Sequence, residues 1–551
     1  MISNKTFTDE NNYFTIFLYS VSFIIIFVLF IENFIFSKNF GYLGFREIDD
    51  IAFQYSIRKS HLDIMSGDFK ELFFLNDYAY GWIFWIVVSL VTFPFFLISH
   101  FYLLDWPLIV APRQLSLLFT ILSMIVLRKI IKSFGCPEWV AASTVLIFIM
   151  LPSSAYFSMR FGTVSMVAFF SIFTIYLSSR NAELTQLELN KVAFSLAISG
   201  AVKLTGLLIT PLIFTLILIR LKPKKISKSN MWMLIKGSMV FLVAFLLLSS
   251  PQLPYIVFYP EKLIAYLNNI RDMIGNTRIV SGSGSVFERF YFGVFGTHII
   301  AFIFFSLIIG IIFEAVKFKL TRVYFLTILL FSSVIYAYVG VTVNNSVSIG
   351  SYLTCISPML LIGLVGISKI RGSIFIILGL IFMLLVDAFY RAQNSVDFKD
   401  LTSGNLSHIS YFIKEDANVR DVKLAKETYQ CIANQTDVSK IGHIFIDFSI
   451  PSFFNSLSMP NTCVSFAWNN LSYEYRYCNK PVDYLILDTS SVGYLPEIEF
   501  NKKIERVDSK TALSYNRDRN SRRALENTGI FGNQTFELLC DLGKTKVFVS
   551  N

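Results

Sequence analysis

Apolar residues fill this chain in long blocks with short polar breaks from Tyr13 to about Tyr390, and the pattern then gives way to ordinary polar–apolar alternation through Asn551. A bilayer core of about 30 Å takes about 20 apolar residues per crossing helix. On that measure candidate spans fall at 13–35, 82–104, 114–131, 138–156, 161–179, 192–219, 235–257, 297–315, 322–342, 351–368 and 373–390, about eleven in all. The pattern predicts an α-helical polytopic membrane protein with a C-terminal extracytoplasmic α/β domain. Residues 1–390 form the transmembrane part, with outer loops at 37–81 and 259–296, and residues 391–551 form the soluble part. In the latter, Ile444–Asp447 and Tyr484–Asp488 read as buried strands ending in Asp, and Thr535–Cys540, the turn at Asp541–Gly543 and Lys546–Val549 read as a hairpin. Neither a nucleotide-binding glycine loop nor a tandem repeat is present in the sequence.

Composition agrees: 54% hydrophobic and 16% aromatic residues are more apolar surface than a soluble protein can bury. The net charge of +10 (48 basic, 38 acidic) does not point to nucleic acid, because basic residues at span ends set orientation and meet anionic lipid. Arg220 with Lys222, Lys224 and Lys225 forms the strongest basic cluster and reads as cytoplasmic; Lys317, Lys319 and Arg322, then Lys369 and Arg371, fall on the same side. That places the 37–81 loop, the 259–296 loop and the C-terminal domain outside the cytoplasm, and the N-terminus inside. The same count puts Arg128, Lys129 and Lys132 outside, against the rule, so either one helix within 114–219 does not cross or the count is off there. The 192–219 segment, long and with Lys203 near its middle, is the suspect. Of six cysteines, Cys431, Cys463, Cys478 and Cys540 lie in the polar part. None has CxxC spacing, so a zinc site is not expected, while two disulfides or free buried thiols both fit.

Candidate chemistry concentrates in the outer loops. Glu47-Ile48-Asp49-Asp50 places adjacent carboxylates just beyond the first span, ahead of a stretch (Ile51–Lys59) with helical apolar spacing that suits an interfacial helix. A solvated loop and an acid pair facing lipid phosphate are both open readings. Asp77, in the aromatic segment before Trp82, is either a second acid or a polar residue at a span start. Lys203 inside an apolar run costs roughly 2.5–3.5 kcal/mol at bilayer depth, so it faces a polar cavity or an anion, or snorkels to the headgroups. Arg160 lies between two spans, and Arg278, with Arg271 and Arg289, lies in the 259–296 loop beside the flexible Ser281–Ser285 stretch, which suits a lid or a plain linker.

Taken in order, these segments resemble the GT-C superfamily of polyprenyl-phosphate-sugar-dependent glycosyltransferases, nearest to its protein mannosyltransferase and aminoarabinose transferase branch. The resemblance covers roughly 13–390. Glu47–Asp50 followed by Ile51–Lys59 is similar to the family's Asp-Glu pair and amphipathic stretch, with Asp50 where the family has Glu. Ser66–Phe69 resembles a Gly-Asp-Trp turn; Pro112–Leu118 with Leu127–Lys129 resembles an Arg-Leu-Leu-Ser helix; Val202–Pro211 resembles a Thr-Lys-x-x-Gly helix; Tyr352–Pro358 resembles a Tyr-Leu helix, with Ser351 in place of Arg. Five residues after Arg160, Ser165 stands where the family often has Asp. The resemblance implies an inverting membrane transferase with a polyprenyl-phosphate sugar as donor and a glycan, lipid or protein acceptor, for instance a surface polysaccharide such as O-antigen, at a bacterial inner membrane. Asp49 takes the general-base place, Asp50 and Asp77 support it, and Lys203, Arg160 and Arg278 meet the donor phosphate. Two adjacent acids can hold a divalent metal, but with no further ligand cluster none is expected. A transporter or flippase of lipid-linked saccharides accounts for the spans and intramembrane cations, but not for the acids or the soluble domain. A polymerase of lipid-linked units shares the location.

Overall fold

The computed structural model describes residues 4–40; 57–69 except 59 and 68; 81–249 except 103, 105, 181–183 and 222–227; 308, 312, 327 and 361 singly; 364–368; 373–395; 422–447; 462–467; and 481–551 except 490, 506–508 and 532. The helices of the apolar part are α1 Asn4–Phe40, α2 Trp82–Tyr102, α3 Trp106–Ser133, α4 Glu138–Met150, α5 Pro152–Ser158, α6 Val164–Ser179, α7 Gln186–Val202, a 3₁₀ segment η1 Leu204–Ile209, α8 Thr210–Arg220, α9 Lys228–Ser249 and α10 Ser373–Ser395. The expected spans at 297–315, 322–342 and most of 351–368 lie outside the described residues.

Side-chain contacts fix which helix ends lie together. Tyr19, in the first half of α1, donates to Glu138 at 2.7 Å, and Arg128 and Lys132 at the end of α3 reach the same carboxylate at 2.7 and 3.1 Å. At the other end of α1, the Phe34 ring meets Trp106 at 5.1 Å, Gln114 donates to the Phe30 carbonyl, and Asn33 donates to the Ser158 carbonyl. α3 therefore runs antiparallel to α1, and α4 with α5 runs back. α6 and α7 are an antiparallel pair, tied by Ser171–Ser199 at 2.9 Å and Thr174–Ser195 at 2.8 Å. Arg220, the last residue of α8, donates to the Leu177 carbonyl near the end of α6. Arg180 pairs with Glu188 beside it.

Two sequence expectations are corrected by this geometry. The 192–219 segment is not one span. α7 stops at Val202, Lys203 is extended (φ −157°, ψ 133°), and η1 with α8 returns to the end from which α7 started. α7 is about 25 Å long, and η1 with α8 about 28 Å, each close to a membrane crossing. The 82–104 segment is long and apolar enough to cross, but it does not connect the two ends of the bundle. Gly81 bonds to Val202 and Phe84 stacks on Phe161, while four residues after the end of α2 the chain is already at Trp106, at that same end. The two corrections cancel in number but change which side each turn occupies. Arg128, Lys129 and Lys132 now share one end with Arg180, Arg220 and Lys228, which removes the conflict in the basic residues. Ser368, next to Lys369, lies 3.4 Å from Cys136 at this basic end, and α10 begins five residues further on.

The C-terminal part has helix α11 Val422–Ala433, strands β1 His443–Asp447, β2 Cys463–Ala467 and β3 Tyr484–Asp488, helices α12 Glu497–Ile504 and α13 Ser509–Thr528, and strands β4 Ile530–Phe531, β5 Gln534–Asp541 and β6 Thr545–Ser550. The sheet order is β2-β1-β3-β6-β5-β4; β1 is parallel to β2 and β3, and the rest are antiparallel. β1 is buried along its whole length, as a strand covered on both faces should be. Ile444, Ile446 and Ile486 pack with Ile432 of α11 on one face, and Phe445, Leu485 and Leu487 with Leu525 of α13 on the other. Both expected strands and the expected hairpin are present. Cys431 and Cys540 form a disulfide from α11 to β5; Cys478 and the Cys463 side chain lie outside the described residues. The two strand-end acids have different surroundings. Asp447 receives both guanidinium arms of Arg522 at 2.8 Å and the Asp488 backbone N–H at 2.7 Å. Arg522 also donates to Asp518 at 3.0 Å and stacks on Tyr494. Two carboxylates hold the Arg522 guanidinium protonated well beyond its usual range.

Cysteines placed at Lys129 and at Lys228, both exposed, should react with an impermeant thiol reagent from the same side of sealed vesicles; opposite-side labelling would mean that α2 crosses. In the C-terminal domain, Arg522→Ala leaves two buried carboxylates without their cation and should cost about 3–5 kcal/mol in unfolding experiments. Arg523→Ala, which removes one exposed bridge to Glu497, should cost less than about 1 kcal/mol.

Candidate functional site

The buried arginines of the apolar helices, Arg113 and Arg160, lie toward the end of the bundle opposite the basic turns. Lys203 is the centre of the best-defined part. α7 gives up its helical bonds at Val202, which leaves C-terminal carbonyls to satisfy. The chain turns on short bonds: Lys203 N–H to the Ser199 carbonyl at 3.4 Å, and Gly206 N–H to the Lys203 carbonyl at 2.8 Å. Glycine is needed at position 206, where a Cβ would stand 2.3 Å from the Ser199 backbone oxygen; one on Gly200 would stand 2.2 Å from a Leu207 methyl, which that side chain must move to accommodate. The sequence Gly200-Ala-Val-Lys203-Leu-Thr-Gly206 thus places its lysine at the apex of a tight reversal, at a bundle end rather than at bilayer centre.

Gly81, the last residue of the first outer loop, sits against this turn and donates its N–H to the Val202 carbonyl at 3.3 Å. Arg160 follows α5 at the same end. It is buried, and its guanidinium carbon lies 5.9 Å from the centre of the Phe157 ring. Its neighbour Phe161 stacks on Phe84 at 6.0 Å. Lys203 and Arg160 are therefore carried by segments that meet through Gly81–Phe84. Asp49, Asp50, Asp77 and Arg278 lie outside the described residues. Arg113, fully buried in α3 two turns from its start, is a further cation toward this end. Sequence reading quoted it in a motif without assigning it work, although an arginine in an apolar helix carries the same signal as Lys203.

A second anchor of the first outer loop was not foreseen. The short helix over 60–66 docks on α2 through His61, which is fully buried. His61 Nε2 lies 3.0 Å from both the Ser89 carbonyl and the Thr92 hydroxyl, and Thr92 donates its own proton to Val88. Only a protonated Nε2 serves both, so the ring is the neutral Nε2–H tautomer. Among the described residues Nδ1 has no hydrogen-bond partner, and the ring packs on Phe93 and Phe96. Burial pushes the His61 pKa down to about 4. Among the described residues no group of three or more His, Cys, Asp or Glu is placed to hold a metal ion.

Because the folded pKa lies below the unfolded value near 6.5, the unfolded state binds the extra proton. The docking contribution is complete above about pH 6.5 and falls by about 3 kcal/mol as pH drops toward 4. Unfolding monitored against pH should show this slope in the parent protein and lose it in His61→Phe; an unchanged slope would exclude the buried neutral imidazole.

No family model matches the sequence, and no curated protein does. Among solved structures, the chain is similar to ArnT from Cupriavidus metallidurans in the apo state, with 11% sequence identity and a TM-score of 0.47 over 97% of each chain. It is likewise similar to ArnT from the same organism bound to undecaprenyl phosphate, with 14% identity and a TM-score of 0.45 over 97% of each chain.

Proposed function

We propose that the protein is an integral-membrane glycosyltransferase that moves a sugar from a polyprenyl-phosphate donor to an acceptor outside the cytoplasm. The observation that carries this reading is the junction at Lys203. There a lysine at a helix break, a buried arginine on the adjoining turn and the end of the acid-bearing loop share one end of the bundle. A phosphomonoester leaving group needs cations at the depth of the headgroups, and a hydroxyl acceptor needs a carboxylate base across the anomeric carbon from that phosphate. The 37–81 loop supplies the acids, and Lys203 and Arg160 supply the cations. Arg278, in the second outer loop, is a third cation for the same phosphate.

Asp49 takes the proton from the acceptor hydroxyl as its oxygen attacks the anomeric carbon. The bond to the phosphate oxygen breaks on the opposite face, the phosphate leaves as an anion held by Lys203 and Arg160, and the anomeric configuration inverts. Asp50 and Asp77 orient the base and the acceptor. Orientation supports the same reading. With Arg128, Lys129, Lys132, Arg180, Arg220 and Lys228 on one end, that end is the cytoplasmic one, and the Lys203 end faces outward. α10 starts at the basic end, which sends the C-terminal domain outward, in keeping with its Cys431–Cys540 disulfide. The acceptor is a glycan, lipid or protein displayed on that side, with a surface polysaccharide such as O-antigen at a bacterial inner membrane as the first substrate class to assay.

Purified Asp49→Asn should lose roughly 10²–10⁴-fold in transfer rate while still binding undecaprenyl phosphate; a folded variant that keeps most of its activity would remove Asp49 from the base role. Lys203→Met should instead weaken undecaprenyl phosphate binding.

A further inference from the structure

α9 packs on the described bundle along a narrow seam. Its fully buried residues are Gly237 and Ala244, two turns apart on one face, and a Cβ on Gly237 would stand 2.8 Å from Leu189 of α7. Further along, a Cβ on Gly200 would stand 3.3 Å from the Phe245 ring, so α9 runs parallel to α7, from the basic end toward the Lys203 turn. Away from this seam Lys228, Trp232, Lys236, Met239, Val243 and Leu247 are all exposed, and their spacing puts them on one stripe of the helix. The stripe changes character along its length. From Lys236 to Leu247 it rises about 16 Å, close to half of a hydrocarbon core of about 30 Å. Trp232 stands one turn outside Lys236, where aromatic side chains meet lipid headgroups. Long side chains on a helix lean toward its N-terminus, so Lys236 reaches back toward the level of Trp232.

These lysines have no anion of the protein's own. α9 contains neither Asp nor Glu, and among the described residues Lys228 and Lys236 pair with no carboxylate. Glu188, at the start of the adjoining α7, is taken by Lys191 at 3.0 Å and Arg180 at 3.6 Å. Two exposed ammonium groups at headgroup depth, flanking an interfacial tryptophan above an apolar strip one leaflet long, match the chemistry of a single anionic lipid.

We propose that this stripe binds an anionic phospholipid of the leaflet at the basic end of the bundle. Its phosphate sits beside Trp232 between the Lys228 and Lys236 ammonium groups, and an acyl chain lies along Met239, Val243 and Leu247. A second copy of the chain is the poorer occupant. Two copies inserted in the same sense and related by a twofold axis would bring α9 against α9 in parallel, with the lysines of each facing those of the other. The proposal uses the orientation of the bundle and none of its chemistry, so it goes beyond the transferase reading and stands or falls apart from it.

The test places the full-length protein in phosphatidylcholine nanodiscs that carry a minor fraction of brominated phosphatidylglycerol or of brominated phosphatidylcholine, and follows quenching of tryptophan fluorescence. The brominated phosphatidylglycerol should quench in excess of the brominated phosphatidylcholine, and the excess should vanish in Trp232→Phe. The preference for phosphatidylglycerol read from that excess should fall about fivefold in Lys228→Gln and in Lys236→Gln, and about 25-fold in the double variant, since each lysine near a membrane surface contributes a factor of about that size toward an anionic headgroup. Arginine at both positions should keep the preference, and so should Lys129→Gln, at an exposed lysine of the same end on α3. Millimolar inorganic phosphate should leave the excess unchanged, which separates a lipid headgroup from free phosphate. No excess in the wild type, an equal loss in Lys129→Gln, release by inorganic phosphate, or disulfide cross-linking of Met239→Cys between copies would each overturn the proposal.

Discussion

A lysine cannot sit at the middle of a membrane-crossing helix without a partner, and the fold of residues 186–249 follows from how the chain meets that constraint. A continuous helix over 192–219 would carry the Lys203 ammonium to bilayer depth at a cost of several kcal/mol. The chain breaks instead. Lys203 takes an extended conformation, Gly206 lets the strands of the turn close on one another, and α8 returns beside α6. What hydropathy reads as one crossing becomes two short helical segments, with the charge where they meet. The neighbouring turn after α5 and the end of the first outer loop then close around that apex through Phe161–Phe84 and Gly81–Val202.

The hairpin also settles how the helices alternate. An extra reversal at Lys203 and a non-crossing α2 together leave Arg128, Lys129 and Lys132 on the same end as Arg180 and Arg220. The basic residues also serve as fasteners there. Glu138 is held by Arg128, Lys132 and Tyr19, and Glu188 by Arg180 and Lys191. The bridges from Arg128 and Lys132 to Glu138 and from Arg180 to Glu188 each span a turn, so these charges also hold the helix ends in register.

Sequence reading identified Lys203 as anomalous and 192–219 as too long, and the conflict at Arg128 located the error within 100–220. It could not choose the remedy. The signal was present in Gly200-x-x-Lys203-x-x-Gly206, but two glycines three residues from a lysine indicate a reversal only once Ser199 and Leu207 are seen against them. α2 was beyond reach for a different reason. Its composition matches that of a crossing helix, and only its end contacts, at Gly81 and Trp106, distinguish it from one. The strands β1 and β3 and the hairpin β5–β6 were legible because burial on two faces and a Gly543 turn with positive φ leave local marks in the sequence. Docking of His61 on Thr92 is a tertiary event with no local mark.

The carboxylates of the chain illustrate why pattern alone does not assign chemistry. Asp447, at the carboxyl end of a parallel strand, sits where α/β layers commonly bind ligands, and a scan for acids would rank it highly. It is nevertheless occupied by the protein itself: Arg522 fills both of its oxygens' forward directions, Asp518 and Tyr494 complete the guanidinium's surroundings, and Gly493 leaves the room that Asp518 and Arg522 take. An acid whose valences are met inside a packed domain joins α13 to the sheet; it has no capacity left for a substrate. The loop that carries the other acids is held to the bundle by contacts of a different kind: His61 docks on α2, and Gly81 docks on the end of α7 beside the half-buried Lys203. Both contacts follow Asp49 and Asp50 in the chain, so no pattern around the acids themselves announces them, and it is tertiary docking rather than the adjacency of two carboxylates that ties this loop to the helices.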